Sequence, residues 1–139
     1  ITHKDMTRFN ISIAEAAKKV FWYLKNSIGG EIFVPKLSSY KILDVAKAIN
    51  PKNKIRYIGI RPGEKIHEEL VTSNDAFNTI EYKNGYIILP TFELHGLKKY
   101  ISHYKAKPVK ENFQYASNST NKYLSILELK KLIENNLNE

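Results

Sequence analysis

The dipeptide Pro62-Gly63 imposes a reversal that any fold of this chain must accommodate. It follows a β-rich run, Ile55-Arg56-Tyr57-Ile58-Gly59-Ile60, and lies within Arg61-Pro62-Gly63-Glu64-Lys65-Ile66-His67-Glu68-Glu69. Proline presets φ and glycine admits positive φ, so a tight turn at a strand end is expected, flanked by Arg61 and Glu64. An arginine there can hold a phosphate through two parallel N–H bonds. A carboxylate three residues on can accept from two neighbouring sugar hydroxyls. The pair has the chemistry of half a nucleotide-sugar clamp. A surface turn with a solvated ion pair accounts for the same residues.

Around this turn the sequence alternates between two periods. Met6 to Ile11 reads as a short strand. Ser12 with Glu15 forms a capping box, and Ile13, Ala16, Ala17, Val20, Phe21 and Leu24 recur at helical spacing to about Asn26, where Gly29-Gly30 stops the helix. Glu31 to Val34 is β-prone and ends at Pro35. Ser38 or Ser39 is expected to cap a helix from Tyr40 to about Ile49, with Ile42, Val45, Ala46 and Ile49 on one face and Pro51 beyond it. A strand over 55–60 leads into the turn. A short helix is expected over 64–71, a helical turn over 74–79 and a strand from Gly85 to Pro90. Residues 91–112 show no clean period and read mostly as loop, and Phe113 to Tyr115 as a short extended piece. Ser125 with Glu128 opens a C-terminal helix that carries Leu129, Leu132 and Ile133 on one face. The order is that of an α/β or α+β fold with few strands.

Composition narrows the classes. The chain has 139 residues, 42% hydrophobic and 26% charged, which describes one globular domain of ordinary size. It has no cysteine, so neither a disulfide framework nor a thiolate metal site is possible. No apolar run approaches the roughly 18 residues that span a bilayer. The net charge is +8, and residues 1–70 hold 13 basic and 7 acidic side chains. Such a surface attracts polyanions. The basic residues are scattered along the sequence, however, without a stripe interleaved with aromatics, and this argues against a nucleic-acid-binding module. Lys105 to Lys110 reads as a solvated linker. There is no Gly-x-Gly-x-x-Gly, no Walker loop and no paired-histidine metal pattern.

Three motifs in order carry a resemblance: Met6-Thr7-Arg8-Phe9; Gly29-Gly30-Glu31-Ile32-Phe33-Val34-Pro35-Lys36; and Ile58-Gly59-Ile60-Arg61-Pro62-Gly63-Glu64-Lys65-Ile66-His67-Glu68. The chain resembles the C-terminal part of nucleotide-sugar 4,6-dehydratases of the extended short-chain dehydrogenase/reductase type. Within them it is most similar to the inverting UDP-N-acetylglucosamine 4,6-dehydratases that begin pseudaminic acid synthesis in bacteria. Phe113-Gln114-Tyr115-Ala116-Ser117 and Leu124 to Leu129 also look like that family's tail. Asn10 and Tyr123 depart from it, standing where tryptophan is frequent.

The resemblance implies an α/β fold: a C-terminal substrate-binding lobe with the last strands and helices of a Rossmann-type domain over residues 1–112, and a tail with a terminal helix over 113–139. It implies NADP, held by an N-terminal domain outside this chain, and UDP-N-acetylglucosamine as substrate. The reaction implied is hydride transfer from C4 to NADP, loss of water across C5–C6, return of the hydride to C6 and reprotonation of C5 on the other face. Dehydration without inversion, or epimerisation at C4, are the alternatives within the family. No catalytic or metal-ligating residue is expected here, and the chain alone is expected to be inactive. A cytoplasmic homo-oligomer without membrane or nucleic-acid partners is implied for the whole protein.

By resemblance, Arg61 grips the diphosphate and Glu64 the ribose hydroxyls. Arg8, with Thr7 and Met6, lies near the sugar site; its alternative partner is Asp5. Lys36 is read as reaching ligand or solvent, solvent being favoured, His67 as taking a packing or capping role, and Phe21 and Trp22 as core and helix-packing residues. Tyr115 and Tyr123 are read either as tail packing or as a contact over the nucleotide or a second subunit.

Overall fold

The computed structural model describes residues 1–92 and 95–137. In chain order its elements are β1 (Thr7–Asn10), α1 (Ile13–Asn26), β2 (Ile32–Pro35), β3 (Ser38–Lys41), α2 (Ile42–Ile49), β4 (Glu69–Val71), a 3-10 turn (Ala76–Asn78), β5 (Thr79–Tyr82), β6 (Gly85–Ile88), α3 (Leu97–Tyr104), β7 (Lys107–Pro108), β8 (Tyr115–Ala116) and α4 (Ile126–Leu137). This is a mixed α/β fold. It divides into two units that interleave along the sequence. The first takes Ile1–Asn10, Leu37–Glu68 and the stretch from Ala116 on; the second takes Ile11–Lys36 and Glu69–Tyr115.

In the first unit β1 and β3 pair antiparallel, from Thr7 opposite Lys41 to Asn10 opposite Ser38. Ser39 ties the tail to this pair. Its N–H donates to the Lys122 carbonyl and its own carbonyl accepts from Leu124. Helix α4 then packs on α2, burying Ala48, Leu124 and Leu129 with Val45, Leu132 and Ile133 around them. The Ser125–Glu128 capping box forms as its spacing predicts.

The second unit is built on the antiparallel sheet β2-β6-β5-β7. Its spine is the hairpin of β5 and β6, with Tyr82 opposite Gly85. Gly85 is required there, since a Cβ would run into the Val34 carbonyl oxygen of β2. Ile80, Ile87, Leu89, Tyr100 and Tyr104 are buried together with Tyr82. Tyr100 donates its hydroxyl to the Gly29 carbonyl, and the single O–H of Tyr104 is shared between the Asn26 carbonyl and Glu31.

Several expectations fail for identifiable reasons. Residues 38–41 are strand rather than helix cap, and α2 starts at Ile42 with no side-chain cap. The run 55–60 makes no strand. Ile58 donates to the Ile1 carbonyl and the Ile1 nitrogen to that of Arg56, but Gly59, at φ 83°, breaks the extended geometry. Residues 64–71 make no helix, because the carbonyls of Lys65 and Ile66 are taken by Arg8. The expected loop 91–112 contains α3 and β7, while residues 93 and 94 lie outside the described residues. Leu97, Tyr100, Ile101 and Tyr104 did carry the helical spacing.

Helix α1 forms where its pattern predicts, with the Ser12–Glu15 box in place, but none of its residues is buried, and Trp22, expected in the core with Phe21, is 39% exposed. Ile13 is 90% exposed, Phe21 74% and Leu24 73%. The helix is held instead by aromatic stacking, Trp22 on Tyr82 at 5.8 Å and Tyr23 on Phe33 at 4.5 Å. After it, one carboxylate closes the turn to β2. Glu31 accepts from the Ser27 and Tyr104 hydroxyls and from the N–H groups of Ile28 and Gly29. Partial burial opposes its charge, but the donors prevail and the carboxyl titrates at about 2.

Denaturant unfolding should therefore separate two apolar residues. Ile87→Ala is expected to destabilise by about 2–5 kcal/mol, and Phe21→Ala by no more than about 0.5 kcal/mol. The pH profile should show Glu31. Its folded pKa is depressed, so its contribution is complete above pH 4.5 and is lost as pH falls towards 2. The stability gap between the native protein and Glu31→Gln is expected to narrow across that window; a gap independent of pH would refute the role.

Candidate functional site

The Arg-Pro-Gly-Glu turn lies in the first unit and closes on itself. The Glu64 N–H donates to the Arg61 carbonyl at 3.0 Å, and the Arg61 N–H donates to Glu64 Oε2 at 3.1 Å. Gly63 takes φ 77°, as the proline–glycine pair predicts. The backbone bond from Arg61, aided by the nearby Arg61 and Arg8 charges, holds the Glu64 carboxyl below its usual range. Glu64 is thus an ionised acceptor at neutral pH. The Arg61 guanidinium is exposed, and among the described residues no hydrogen bond holds it. The turn thus ties the Arg61 backbone to the Glu64 carboxylate, and the Arg61 charge acts on that carboxyl.

A second arginine fixes this turn from behind. Arg8 Nη1 donates to the carbonyls of Thr7 at 2.6 Å and Ile66 at 3.1 Å, and Nη2 to that of Lys65 at 2.9 Å. Its Nε faces Glu68 Oε1 at 3.2 Å. The rigid fork of a guanidinium matches such a set of fixed acceptors, which a single ammonium cannot. Asp5 is not its partner; that carboxylate lies beside His3 at 4.0 Å.

Below Arg8 runs a chain of hydroxyls. Thr7 Oγ1 lies 2.8 Å from His67 Nδ1 and 2.6 Å from Ser117 Oγ, which accepts from the Glu68 N–H at 2.9 Å. Ser117 N–H returns to the Glu68 carbonyl at 2.7 Å. Thr7 and Met6 are each 3% exposed and Ser117 is fully buried. His67 therefore sits in a packing network with Thr7. Sequence reasoning missed Ser117, which lies 110 positions from its Thr7 partner and carries no local signal. Tyr123 donates to the Ser117 carbonyl at 3.0 Å.

Lys36 and Tyr115 belong to the second unit. Lys36 is paired with Glu81 at 2.8 Å rather than free in solvent, and Tyr115 is buried. Among the described residues no group of histidine and acidic side chains is arranged to hold a metal ion, and no helix is long and apolar enough to cross a membrane.

Comparison with known proteins adds an independent line. The family described as "Polysaccharide biosynthesis protein" matches residues 1–90. The UDP-N-acetylglucosamine 4,6-dehydratase (inverting) of Campylobacter jejuni serotype O:2 is 37% identical, over 96% of this chain and 41% of that protein. The UDP-glucose 4-epimerase of Rickettsia akari is 35% identical, over 96% and 40%. The X-ray structure of Pen from Bacillus thuringiensis superposes with a TM-score of 0.75 at 27% identity, over 99% of this chain and 41% of that one. The chain thus spans about two fifths of the length of the relatives it matches.

Arg8→Lys is expected to lower stability by about 1–3 kcal/mol through unsatisfied carbonyls and to speed amide exchange around Ile66–Glu68. Unaltered exchange there would show that the turn holds its shape without the guanidinium.

Proposed function

The chain belongs to the polysaccharide biosynthesis protein family, and from that premise we propose that it is the substrate-binding lobe of a UDP-N-acetylglucosamine 4,6-dehydratase that inverts C5. The observation that supports the reading is the turn itself: an exposed arginine and an ionised carboxylate, three residues apart, on a segment whose carbonyls Arg8 holds. The name and 37% identity of the Campylobacter jejuni relative supply the substrate class.

On this reading Arg61 holds the diphosphate by charge-assisted bonds, and Glu64 accepts from the ribose hydroxyls. Arg8, Thr7 and Met6 form the underside of the site. One Nη2 hydrogen of Arg8 remains for a ligand after the bonds to Thr7, Ile66, Lys65 and Glu68. These groups orient the sugar and catalyse nothing themselves; binding energy spent on position lowers the entropic part of the barrier. NADP, which supplies the redox chemistry when bound, does not fit the residues present. The six glycines are dispersed and form no phosphate-cradling loop. We assign it to the part of the enzyme outside this stretch, along with the catalytic groups. The exposed apolar stripe of α1 accords with a lobe that packs on further protein. The assembled enzyme is read as a cytoplasmic homo-oligomer, compatible with a chain that has no cysteine.

The 35% identity to UDP-glucose 4-epimerase supports a second reading, epimerisation at C4 of a UDP-sugar. Proton NMR of the product ring separates the two, since only the dehydratase yields a deoxy C6. In the full-length enzyme Arg61→Ala is expected to raise KM for the UDP-sugar about tenfold or more with a smaller change in kcat. An unchanged KM would remove Arg61 from the site.

A further inference from the structure

We propose that the second unit carries a separate oxyanion site for a compact polyphosphate, free or esterified, in a cleft among Lys36, Lys83, Lys105 and Lys107. The cleft encloses about 360 Å³, with Glu81 and Tyr82 completing its wall. Sheet register assembles it. Glu81 on β5 stands opposite Tyr86 on β6 and Lys107 on β7, and Lys36 follows β2, its N–H on the Asn84 carbonyl. Four lysines and one glutamate line the cleft, for a local formal charge of +3.

Glu81 acts as a strut. Its Oε1 holds Lys36 at 2.8 Å and its Oε2 holds Lys107 at 3.3 Å. The bond from Lys36 keeps the carboxyl below its usual range despite partial burial, so it stays ionised. Lys36 is also set over the Tyr86 ring at 5.4 Å. Each held ammonium uses one of its three donors on the strut and offers the others outward. Lys83 and Lys105 take no ion pair among the described residues.

Lys105 supplies an independent argument. It occupies the left-handed position that ends α3, φ 49° and ψ 46°, its N–H on the carbonyls of Ile101 and Ser102. Glycine or asparagine normally stands there, because a Cβ is strained in this conformation. A lysine at such a position costs backbone strain that a use for its side chain would offset. A compact ligand is favoured over a nucleic acid. The flanking aromatic faces of Trp22 and Tyr82 are already stacked on each other, with planes 10° apart, and offer no platform for bases.

The test is calorimetric titration of the full-length protein with inorganic pyrophosphate, on an Arg61→Ala background so that the proposed nucleotide site does not contribute. Saturable binding is expected, weakened at least about tenfold by Lys83→Gln combined with Lys105→Gly. Lys105→Gly alone is expected to keep or raise the thermal midpoint while weakening binding, a pair of effects that a structural role does not produce. Absence of saturable binding, or equal affinity in the double variant, overturns the site. Tighter lysine-dependent binding to oligo(dT), or to phosphatidylglycerol vesicles, than to pyrophosphate overturns it too, because the surface then serves a polymer or a membrane plane.

Discussion

The planar guanidinium of Arg8 turns a segment with no regular structure of its own into a fixed support. Residues 61–68 form neither helix nor strand, so their carbonyls need partners from elsewhere. Arg8 meets that need at Lys65 and Ile66, and the Thr7 N–H shares the Ile66 carbonyl. Because Arg8 and Thr7 lie on β1, whose register with β3 is set, the turn inherits the rigidity of that pair. The Arg61 guanidinium is then displayed without having to hold the turn, while the Glu64 carboxylate accepts from the Arg61 N–H and from the Thr2 side chain.

Polar satisfaction organises the second unit as well. Glu31 gathers four donors where α1 gives way to β2, and the tyrosines of α3 send their hydroxyls to carbonyls of the same turn. Each buried aromatic body thus has a satisfied polar tip, which removes the penalty of burying it. Glu81 plays a comparable part on the sheet, where one carboxylate positions two lysines. In both units a single charged side chain with several partners does what a longer regular element would otherwise do.

Resemblance and geometry bear on different parts of the functional reading. The family match and the identity to a dehydratase and to an epimerase set the chain in the polysaccharide biosynthesis protein family, and both of those relatives are named for UDP-sugars. The turn supplies groups suited to a diphosphate and to vicinal hydroxyls, which both activities share. On the function proposed above, chemistry at C4, C5 or C6 falls to residues outside this stretch, and this chain bears on what is held.

Local interactions were open to reading. The two capping boxes that start α1 and α4 and the proline–glycine turn depend on residues a few positions apart, and their partners are visible in the sequence. Long-range pairing was not. Ser38 and Ser39 have the chemistry of helix caps, but strand β1 claims them. Thr79 to Tyr82 becomes a strand because β6 and β7 flank it. Arg8 finds Glu68 and not the nearer Asp5, and Thr7 finds Ser117. The stripe of α1 was read correctly as a period and wrongly as a core, since periodicity says that residues share a face and not what covers that face. The lysines of the cleft, dispersed from position 36 to 107, converge only through sheet register. The sequence by itself determined the caps, the turn and the family, because those rest on short-range contacts and on motifs. Tertiary structure alone decided the strand partners, the buried faces and the neighbours of each charge, because these depend on side chains brought together from distant positions.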